Sequence, residues 1–520
     1  MSDFKPHIGK NVIETLTLGM YEDARIIYRE YVQNAADQID VAVEEKILKS
    51  KSDGEIKIKI DKDAKTISIE DNATGIESDN VLSFLGDVAN SQKDMKKRKG
   101  FRGIGRLGGL GYCEQLIFET SYKGETEKNI ITLDAKLLKE IIDNDANTDD
   151  AATVMGTITR LVDADEDKNA HYFKVSLLNV TNEILLNVDS ISKYLSMVAP
   201  IPFHKNFKWK DKIYAYYRKN KVGIDEYDIH LDINDQKLTK PYKSVFYKTK
   251  NKGKKDERKE VFSNLIDVVC FDEVNDEGEL IAIGWFGITG KLNFQIPDEN
   301  IEAGIRLRKE NIAIGSKFTL SKLFGQSRQN LNYIGEVHAI GSGFKPNARR
   351  DYFNDSKSIT DLEKKLKSQF AKFGTITQDS SDAHNRKYDI EDYREGSESF
   401  EKELRSGQLT KKEIEKKRED LLNKKDKAIK ASKKLAKLKD KSTHNSILST
   451  VYEEIVGDLN LKIDEEEPEI KAGAKSYPLN LSKLSKEQKE VVLQIFTILE
   501  ENLTIEKAEF IKKKIAEKFN

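Results

Sequence analysis

Hydrophobic and polar positions follow two different periods in the first 200 residues. Residues 21–48 carry apolar side chains at helical spacing, which predicts one long amphipathic helix. Residues 55–60 and 66–70 instead alternate apolar and polar positions around Asp61-Lys-Asp63, which predicts a β-hairpin. The further elements expected here are a helix at 77–86 and strands at 116–121, 130–133 and 157–161. The mixture of helices and strands predicts an α+β domain.

Prolines and polar runs divide the chain. Only Pro6 precedes Pro200 and Pro202, so residues 1–198 are predicted to be the first domain. Residues 199–357 are predicted to be a mixed α/β middle domain. Its strand patterns fall at 229–233, 268–271, 280–286 and 305–314. Residues 375–398 are polar and carry Ser, Asp, Gly and Asn, which predicts a solvated loop.

The last third of the chain is predicted to be helical. Residues 399–440, within a region 358–460, are dense in charge, and they carry apolar residues at heptad spacing, namely Ile414, Leu421, Ala428 and Leu435. This narrow seam fits a coiled coil. The lysine excess over 402–439 also admits a nucleic-acid arm, although a solvated face is the favoured interpretation.

The final segment, 461–520, follows an acidic linker at 464–468. Its apolar residues at helical spacing predict a last helical pair with one apolar face, formed by Val492, Ile495, Phe496, Leu499 and Leu503. Such a face fits either a dimer surface or packing within the chain.

Composition narrows the classes of protein. At 520 residues the chain is expected to form three or four domains. Lys and Arg total 88 against 89 Asp and Glu, so the net charge of −1 gives no global case for nucleic-acid binding. Cys113 and Cys270 are too few and too far apart for a disulfide framework or a zinc site, which indicates a reducing cytoplasm. No apolar run is long enough to span a membrane, and Met1–Lys10 lacks the core of a signal peptide.

Two short segments of the first domain carry carboxylates in a suggestive arrangement. In the helix predicted at 21–48, Glu30 and Asn34 are four residues apart and Asp37 follows a turn later, so they share one side. Alone, such a set is more often a hydrogen-bonded polar stripe than a site. Asp71 comes directly after the strand predicted at 66–70, where a carboxylate can accept a hydrogen bond from an amine such as adenine N6. Gly75, four residues later, lets the backbone approach the ring of a ligand.

A third segment is rich in glycine. Gly100, Gly103, Gly105 and Gly108 open a probable helix, and such a run can present backbone N–H groups to phosphates. It does not follow a strand and contains no Gly-Lys-Ser/Thr, so it matches neither the dinucleotide fingerprint nor the Walker loop.

Taken in order, the three segments resemble the GHKL ATPase superfamily. Residues 84–93, Phe-Leu-Gly-Asp-Val-Ala-Asn-Ser-Gln-Lys, resemble the stretch before the lid in the ninety-kilodalton heat-shock chaperones. Gly156-Thr157 is placed like the late Gly-Thr of that family. Ala73 departs from the pattern, since the family usually has glycine there, and Gly100-Phe-Arg-Gly103 is also similar to the MutL type.

The resemblance implies a two-layer α/β sandwich with ATP bound under a mobile lid and with Mg²⁺ between the phosphates and Asn34. It implies that Glu30 polarises the attacking water and that Asp71 fixes adenine. The other nucleotide contacts that it implies are Asp37, Gly75, Ser91, Lys93, Gly100, Gly103, Gly105, Gly108 and Thr157.

Residues 333–351 resemble the middle-domain segment of the same chaperones, in which an Asn and an Arg reach toward the γ-phosphate. By that match Asn347 and Arg350 are the candidates, and Arg349 is a close rival. An arginine from another domain can stabilise charge on a transferred phosphoryl group. The alternative is that both arginines pair with surface acids such as Asp351.

These features together predict a cytoplasmic ATPase that works as a homodimeric clamp on a client or effector protein. A sensor histidine kinase is disfavoured, because no helical bundle precedes the nucleotide domain, and a topoisomerase would need a strand-cleaving tyrosine domain. Two alternatives stay open. One is a MORC- or MutL-like DNA clamp that uses the lysines of 402–439, and the other is an ATP-gated component of a bacterial anti-phage system.

Overall fold

The computed structural model describes residues 8–17, 23–86, 105–231, 236–406, 409, 411–463 and 485–519. The chain divides into two compact units, residues 1–374 and 375–520. Among the described residues, no helix combines the length and the apolar composition that a membrane crossing needs.

An eight-stranded sheet forms the base of the first unit. Its strands are β1 (Glu55–Asp61), β2 (Thr66–Asp71), β3 (Gln115–Ser121), β4 (Glu127–Asp134), β5 (Thr159–Asp165), β6 (Tyr172–Leu178), β7 (Asp228–Leu231) and β8 (Gln236–Lys237). They lie in the order β5-β4-β3-β6-β2-β1-β7-β8. The predicted hairpin is confirmed: β1 and β2 pair antiparallel with Ile58 opposite Ile69, so alternate apolar residues reach one buried face.

Among the described residues of this region, six helices accompany the sheet, and the layered α+β fold is confirmed. They are α1 (Asn11–Thr17), α2 (Ile26–Glu44), α3 (Val81–Gly86), α4 (Ala135–Asp143), α5 (Ala151–Ile158) and α6 (Val188–Val198). The long helix predicted at 21–48 corresponds to α2, which buries Ile27, Val32 and Ile39 in the core. It ends before Lys46, whose φ of 61° is left-handed and cannot continue a right-handed helix.

A six-stranded sheet follows, as predicted for a mixed α/β middle region. Its strands are β9 (Val245–Lys250), β10 (Arg258–Val274), β11 (Leu280–Thr289), β12 (Gly304–Lys309), β13 (Ile312–Ile314) and β14 (Ile334–Ala339), in the order β13-β12-β14-β11-β10-β9. Helix α7 (Lys210–Lys219) buries Ile213 and Tyr217 in the same core. β7 and β8 come after Pro200 and Pro202 in the chain, yet they extend the first sheet, because β7 pairs parallel with β1.

A fully buried charged cluster links the six-stranded sheet to α6 and to Lys240, which follows β8. The Glu336 carboxylate on β14 lies 2.6 Å from Nε of Arg308 and 2.8 Å from Nζ of Lys240. Arg308 also donates to the carbonyls of Met197 and Asn311, so it ties β12 to the end of α6. Burial by itself would raise the pKa of Glu336, but Arg308 and Lys240 hold that pKa well below its usual range.

The second unit is an assembly of long helices. These are the rest of α8 (Lys357–Ser406), then α9 (Lys411–Ser442), α10 (Ser446–Val456), α11 (Lys486–Asn502) and α12 (Ile505–Phe519). The loop predicted at 375–398 is wrong, because these residues are part of α8. Ile376, Ala383 and Ile390 are buried at seven-residue spacing, and this apolar seam outweighs the loop-like composition.

The predicted heptad seam of α9 packs within the chain. Leu421, Ala428 and Leu435 are buried. Three ion pairs link α9 to α8, namely Lys417–Glu403, Lys424–Asp392 and Lys441–Asp379. Their residue numbers rise on one helix as they fall on the other, so α8 and α9 form an antiparallel hairpin over this stretch.

The predicted final helical pair consists of α11 and α12. Val492 and Phe496 are buried between them, with Leu499 and Ile515 packed alongside, so three residues of the expected apolar face are used within the pair. Ile495, which was expected on the same face, is instead exposed. A second row on α11, made of Val491, Ile495 and Ile498, stays exposed.

Candidate functional site

The three segments singled out in the first domain lie side by side. α2 packs both against β2 and against a 3₁₀ helix formed by Gly105–Gly111. A hydrogen bond of 3.2 Å from the hydroxyl of Thr74 to the amide oxygen of Gln38 also ties the loop after β2 to α2. Stretches separated by up to 80 residues therefore meet on one side of the sheet.

Glu30 lies at the centre of this meeting point. It is only 4% exposed. A Cβ on residue 105 would lie 2.4 Å from its Oε2, so the backbone at Gly105 approaches the carboxylate as only glycine allows. On its other side, Nη2 of the buried Arg29 lies 3.6 Å from Oε1. The carboxylate is thus enclosed by a glycine backbone and a neighbouring cation.

Arg350 reaches the same carboxylate from the middle region of the chain. Its Nε lies 2.7 Å from Oε1 of Glu30, and its Nη1 donates a hydrogen bond to Oε1 of Gln33. Arg349 is exposed, so of the two candidate arginines only Arg350 is brought to α2. The backbone of Arg350 is left-handed, with φ of 55°.

The loop around Arg350 is held by its own hydrogen bonds. The amide of Asn347 donates to the Tyr352 carbonyl at 2.9 Å, and the amide of Gly315 donates to the Arg350 carbonyl at 2.9 Å. The side-chain amide of Asn347 donates to Asp351. Asn347 therefore shapes the loop that carries Arg350.

Asp71 is buried at the end of β2, in the position predicted from the sequence. Its Oδ1 accepts from the amide of Ala73 at 3.1 Å, which closes a tight turn. Gly75 then has φ of 70°, and a Cβ there would lie 1.8 Å from the Ser121 carbonyl, so no other residue fits. Ala73, which departs from the family pattern, is fully buried, and its carbonyl is 2.7 Å from Nδ1 of His171.

The other predicted nucleotide contacts are only partly described. Asn34 and Asp37 lie on α2 with Glu30, and Asp37 is buried. Gly105 and Gly108 belong to the 3₁₀ helix, which is tighter than the helix predicted for the glycine run. Four residues, Ser91, Lys93, Gly100 and Gly103, lie outside the described residues.

The structure places Thr157 away from this group. The strand predicted at 157–161 begins only at Thr159, and Thr157 lies exposed in the last turn of α5. Its hydroxyl donates to the Thr153 carbonyl at 2.9 Å. In the sheet, β4, β3 and β6 lie between β5, which follows Thr157, and β2, which ends at Asp71. This topology does not support a nucleotide contact for Thr157, which stays a prediction. Asp150 caps the N-terminus of α5, and the helix continues to Ile158.

Comparison with known proteins supports the same interpretation. Residues 30–161 match the family described as histidine kinase-, DNA gyrase B- and HSP90-like ATPases. This range includes Glu30, Asp71 and the glycine segment. The chain contains a GHKL ATPase domain of the Hsp90-like type.

Two chaperones are among the proteins that are similar to this chain. The chain is 25% identical to the chaperone protein HtpG of Campylobacter jejuni over 269 residues, which is 47% of this chain and 42% of that protein. It is 26% identical to HtpG of Streptomyces coelicolor over 138 residues, 23% of this chain and 22% of that one. The matched part thus spans less than half the length of either relative.

Some residues of the GHKL site were not identified from the sequence. Gln33 was not singled out, although it is buried on the face of α2 that receives Arg350. The hydroxyl of Tyr31 donates to the Arg106 carbonyl at 3.0 Å and accepts from the Gly109 amide at 3.1 Å, so it fixes the glycine segment to α2. In the sequence, these two roles were indicated only by the positions of a tyrosine next to Glu30 and a glutamine next to Asn34.

Burial controls the protonation of the groups near the GHKL site. Burial raises the pKa of Tyr194, which lies near Arg29 and Glu30, to about 12. Burial likewise raises the pKa of the Cys113 thiol to about 12, so this cysteine is not a reactive thiolate.

The donor groups suit Mg²⁺ bound together with a nucleotide. Asn34 offers a single amide oxygen from a half-buried position on α2. In the described ranges, no group of three or more His, Cys, Asp or Glu side chains could hold a metal by itself. Mg²⁺ commonly takes one or two protein oxygens and fills its other positions with phosphate and water, which fits this donor set.

Proposed function

We propose that this protein is a Mg²⁺-dependent ATPase that works as a homodimeric clamp on a partner protein, as a chaperone or as a conformational regulator. The observation that carries the proposal is the Glu30 carboxylate. It is buried on α2, it contacts the backbone of the glycine segment, and it is paired with Arg350 from a distant part of the chain. The proposed base, Glu30, is thereby in contact with a cation, Arg350, in the proposed ATP-binding domain.

In this proposal Glu30 accepts the proton of the attacking water. A carboxylate positioned in a water-poor site is suited to general-base chemistry. The Arg350 guanidinium stabilises the negative charge that spreads over the transferred phosphoryl oxygens, and Asn347 supports the loop that presents it. Mg²⁺ would be held by Asn34 and would neutralise phosphate charge when bound.

Asp71 is assigned to adenine recognition, which a substitution tests. Replacing Asp71 with asparagine should weaken ATP binding by about 10–150-fold, because a hydrogen bond to a charged acceptor contributes about 1.5–3 kcal/mol. The side-chain oxygen that accepts from Ala73 is retained, so the turn should persist. Calorimetric titration with Mg·ATP measures the dissociation constant.

The matched control for this measurement is Asp63→Asn in the exposed turn of the β1–β2 hairpin. It makes the same change of charge in the same domain, and ATP affinity should not change. Equal dissociation constants for Asp71→Asn and Asp63→Asn would remove Asp71 from the binding site.

The dimer is proposed from the exposed row on α11. Val491, Ile495 and Ile498 are spaced for one helical face, and contiguous exposed apolar residues mark association surfaces. We assign a second copy of this chain to that row. Light-scattering mass should therefore be that of a dimer, and the double change Val491→Lys and Ile498→Lys should give a monomer.

Glu501→Lys, an exposed substitution on the same helix, is the control and should leave the dimer intact. A monomer mass for the unaltered chain, both with and without a non-hydrolysable ATP analogue, would contradict the clamp.

The proposal is not extended to DNA. Six exposed lysines between residues 427 and 439 could meet phosphates, namely Lys427, Lys430, Lys433, Lys434, Lys437 and Lys439. However, other cations of the same helix are paired with acids of α8, as expected of a solvated charged hairpin. A protein partner suits both the chaperone and the anti-phage alternative. The proposed location is the cytoplasm, which the two unpaired cysteines, Cys113 and Cys270, support.

A further inference from the structure

Gln33 is a buried polar residue that has no role in the mechanism above. It is 2% exposed, and its Oε1 accepts a hydrogen bond from Nη1 of Arg350. The carboxylate of Glu30, three residues earlier, forms an ion pair with Nε of the same guanidinium. Residues three apart lie on the same face of a helix, so one arginine is held by two acceptors of α2.

The other end of Arg350 is fixed by its loop. The left-handed backbone of Arg350 is a costly conformation for a residue with a side chain, and such positions cluster at functional sites. The amide of Arg350 donates to the Asn347 carbonyl at 3.2 Å, and its carbonyl accepts from Gly315. The loop thus sets where the side chain starts, but several rotatable bonds separate that point from the guanidinium.

We propose that Gln33 is a positioning residue for Arg350, an inference that rests on the proposed ATPase function. Glu30 alone would hold the guanidinium by one edge and leave it free to turn about that contact. The amide of Gln33 supplies a second acceptor on the same helix. Because this acceptor is neutral, it orients the guanidinium without cancelling the positive charge that a transferred phosphoryl group requires.

The test is the nearly isosteric substitution Gln33→Met, which removes the acceptor and suits a buried helical position. Turnover at saturating ATP should fall by about tenfold or more, the loss expected for one hydrogen bond to a charged group. ATP affinity should stay unchanged, since Gln33 contacts Arg350 and not the adenine end. In an Arg350→Ala background, Gln33→Met should cause no further loss, because residues that act through one another are not additive.

Gln369→Met is the matched control. Gln369 lies on α8 in the first unit, and its amide oxygen accepts from Lys372 at 3.2 Å, so the same change removes a contact with a cation other than Arg350. Its turnover should equal that of the unaltered protein. Gln33→Leu provides a second variant should the methionine substitution prevent folding.

The outcomes separate this inference from the function on which it rests. Undiminished turnover in Gln33→Met, or an equal further loss in the Arg350→Ala background, would show that Gln33 only fills space. A fall in ATP affinity with no change in turnover would also overturn the assignment. Undiminished turnover in both Glu30→Gln and Arg350→Ala would overturn the proposed mechanism itself, and the role of Gln33 with it.

Discussion

Replacing Glu30 with glutamine is expected to lower ATP turnover by about 10²–10⁴-fold, the range for a positioned general base. The amide cannot accept the proton of the attacking water, yet it keeps the volume that fits between α2 and Gly105. ATP should still bind, because the adenine end of the site at Asp71 is untouched. Turnover is measured by phosphate release at saturating Mg·ATP, and binding is measured by calorimetry.

Glu45→Gln is the control for this change, since Glu45 is exposed at the end of the same helix. It should turn over ATP normally. The substitution at Glu30 also breaks the ion pair with Arg350, so Arg350→Ala is measured beside it. Turnover in Glu30→Gln within the range of the Glu45 control would show that another group activates the water.

Replacing Glu336 with glutamine is expected to reduce the free energy of unfolding by about 3–5 kcal/mol, the cost of breaking a buried ion pair. Lys240, Arg308 and Glu336 are all fully buried, so the neutral amide leaves two cations without compensation. Chemical denaturation, followed by the fluorescence of the buried Trp285 in the same core, measures the loss. The double variant Glu336→Gln and Lys240→Met should recover part of the lost free energy of unfolding, because one uncompensated charge is removed.

Glu260→Gln breaks a pair on the exposed surface of β10 and should leave the unfolding midpoint unchanged. A loss in Glu336→Gln as small as the loss in Glu260→Gln would show that the buried cluster does not stabilise the fold.

The buried cluster also makes the stability depend on pH. Burial lowers the pKa of His338 to about 4 from 6.5, and the pKa of Glu336 is lowered too. The unfolded chain then binds more protons, so stability should fall as the pH drops from about 6.5 towards 4.

Local patterns were enough to predict the elements that form the site. The alternation of apolar residues in β1 and β2 specifies a hairpin with one buried face, and it therefore placed Asp71 at a strand end. Helical spacing in α2 put Glu30, Asn34 and Asp37 on one side. These inferences succeeded because both periodicities are properties of the local backbone.

Composition misled where packing decides the structure. Residues 375–398 contain several Ser and Asp residues, yet Ile376, Ala383 and Ile390 are buried at seven-residue spacing within the continuous helix α8. The strand expected at Thr157 begins two residues later, because α5, which Asp150 caps at its N-terminus, continues to Ile158. In both cases a helix continues through residues to which composition or a short apolar pattern assigned another structure.

The sequence by itself determined the local elements of the ATPase domain and the chemical groups that they carry, because spacing along a helix or strand fixes which side chains share a face. The tertiary structure alone decided that Arg350 rather than Arg349 meets Glu30, that Gln33 receives the same guanidinium, and that Glu336 is buried between two cations. The hydrogen bond between Arg350 and Gln33 alone joins residues 317 positions apart. No local periodicity encodes such contacts, since they arise only when two sheets and a left-handed loop pack together.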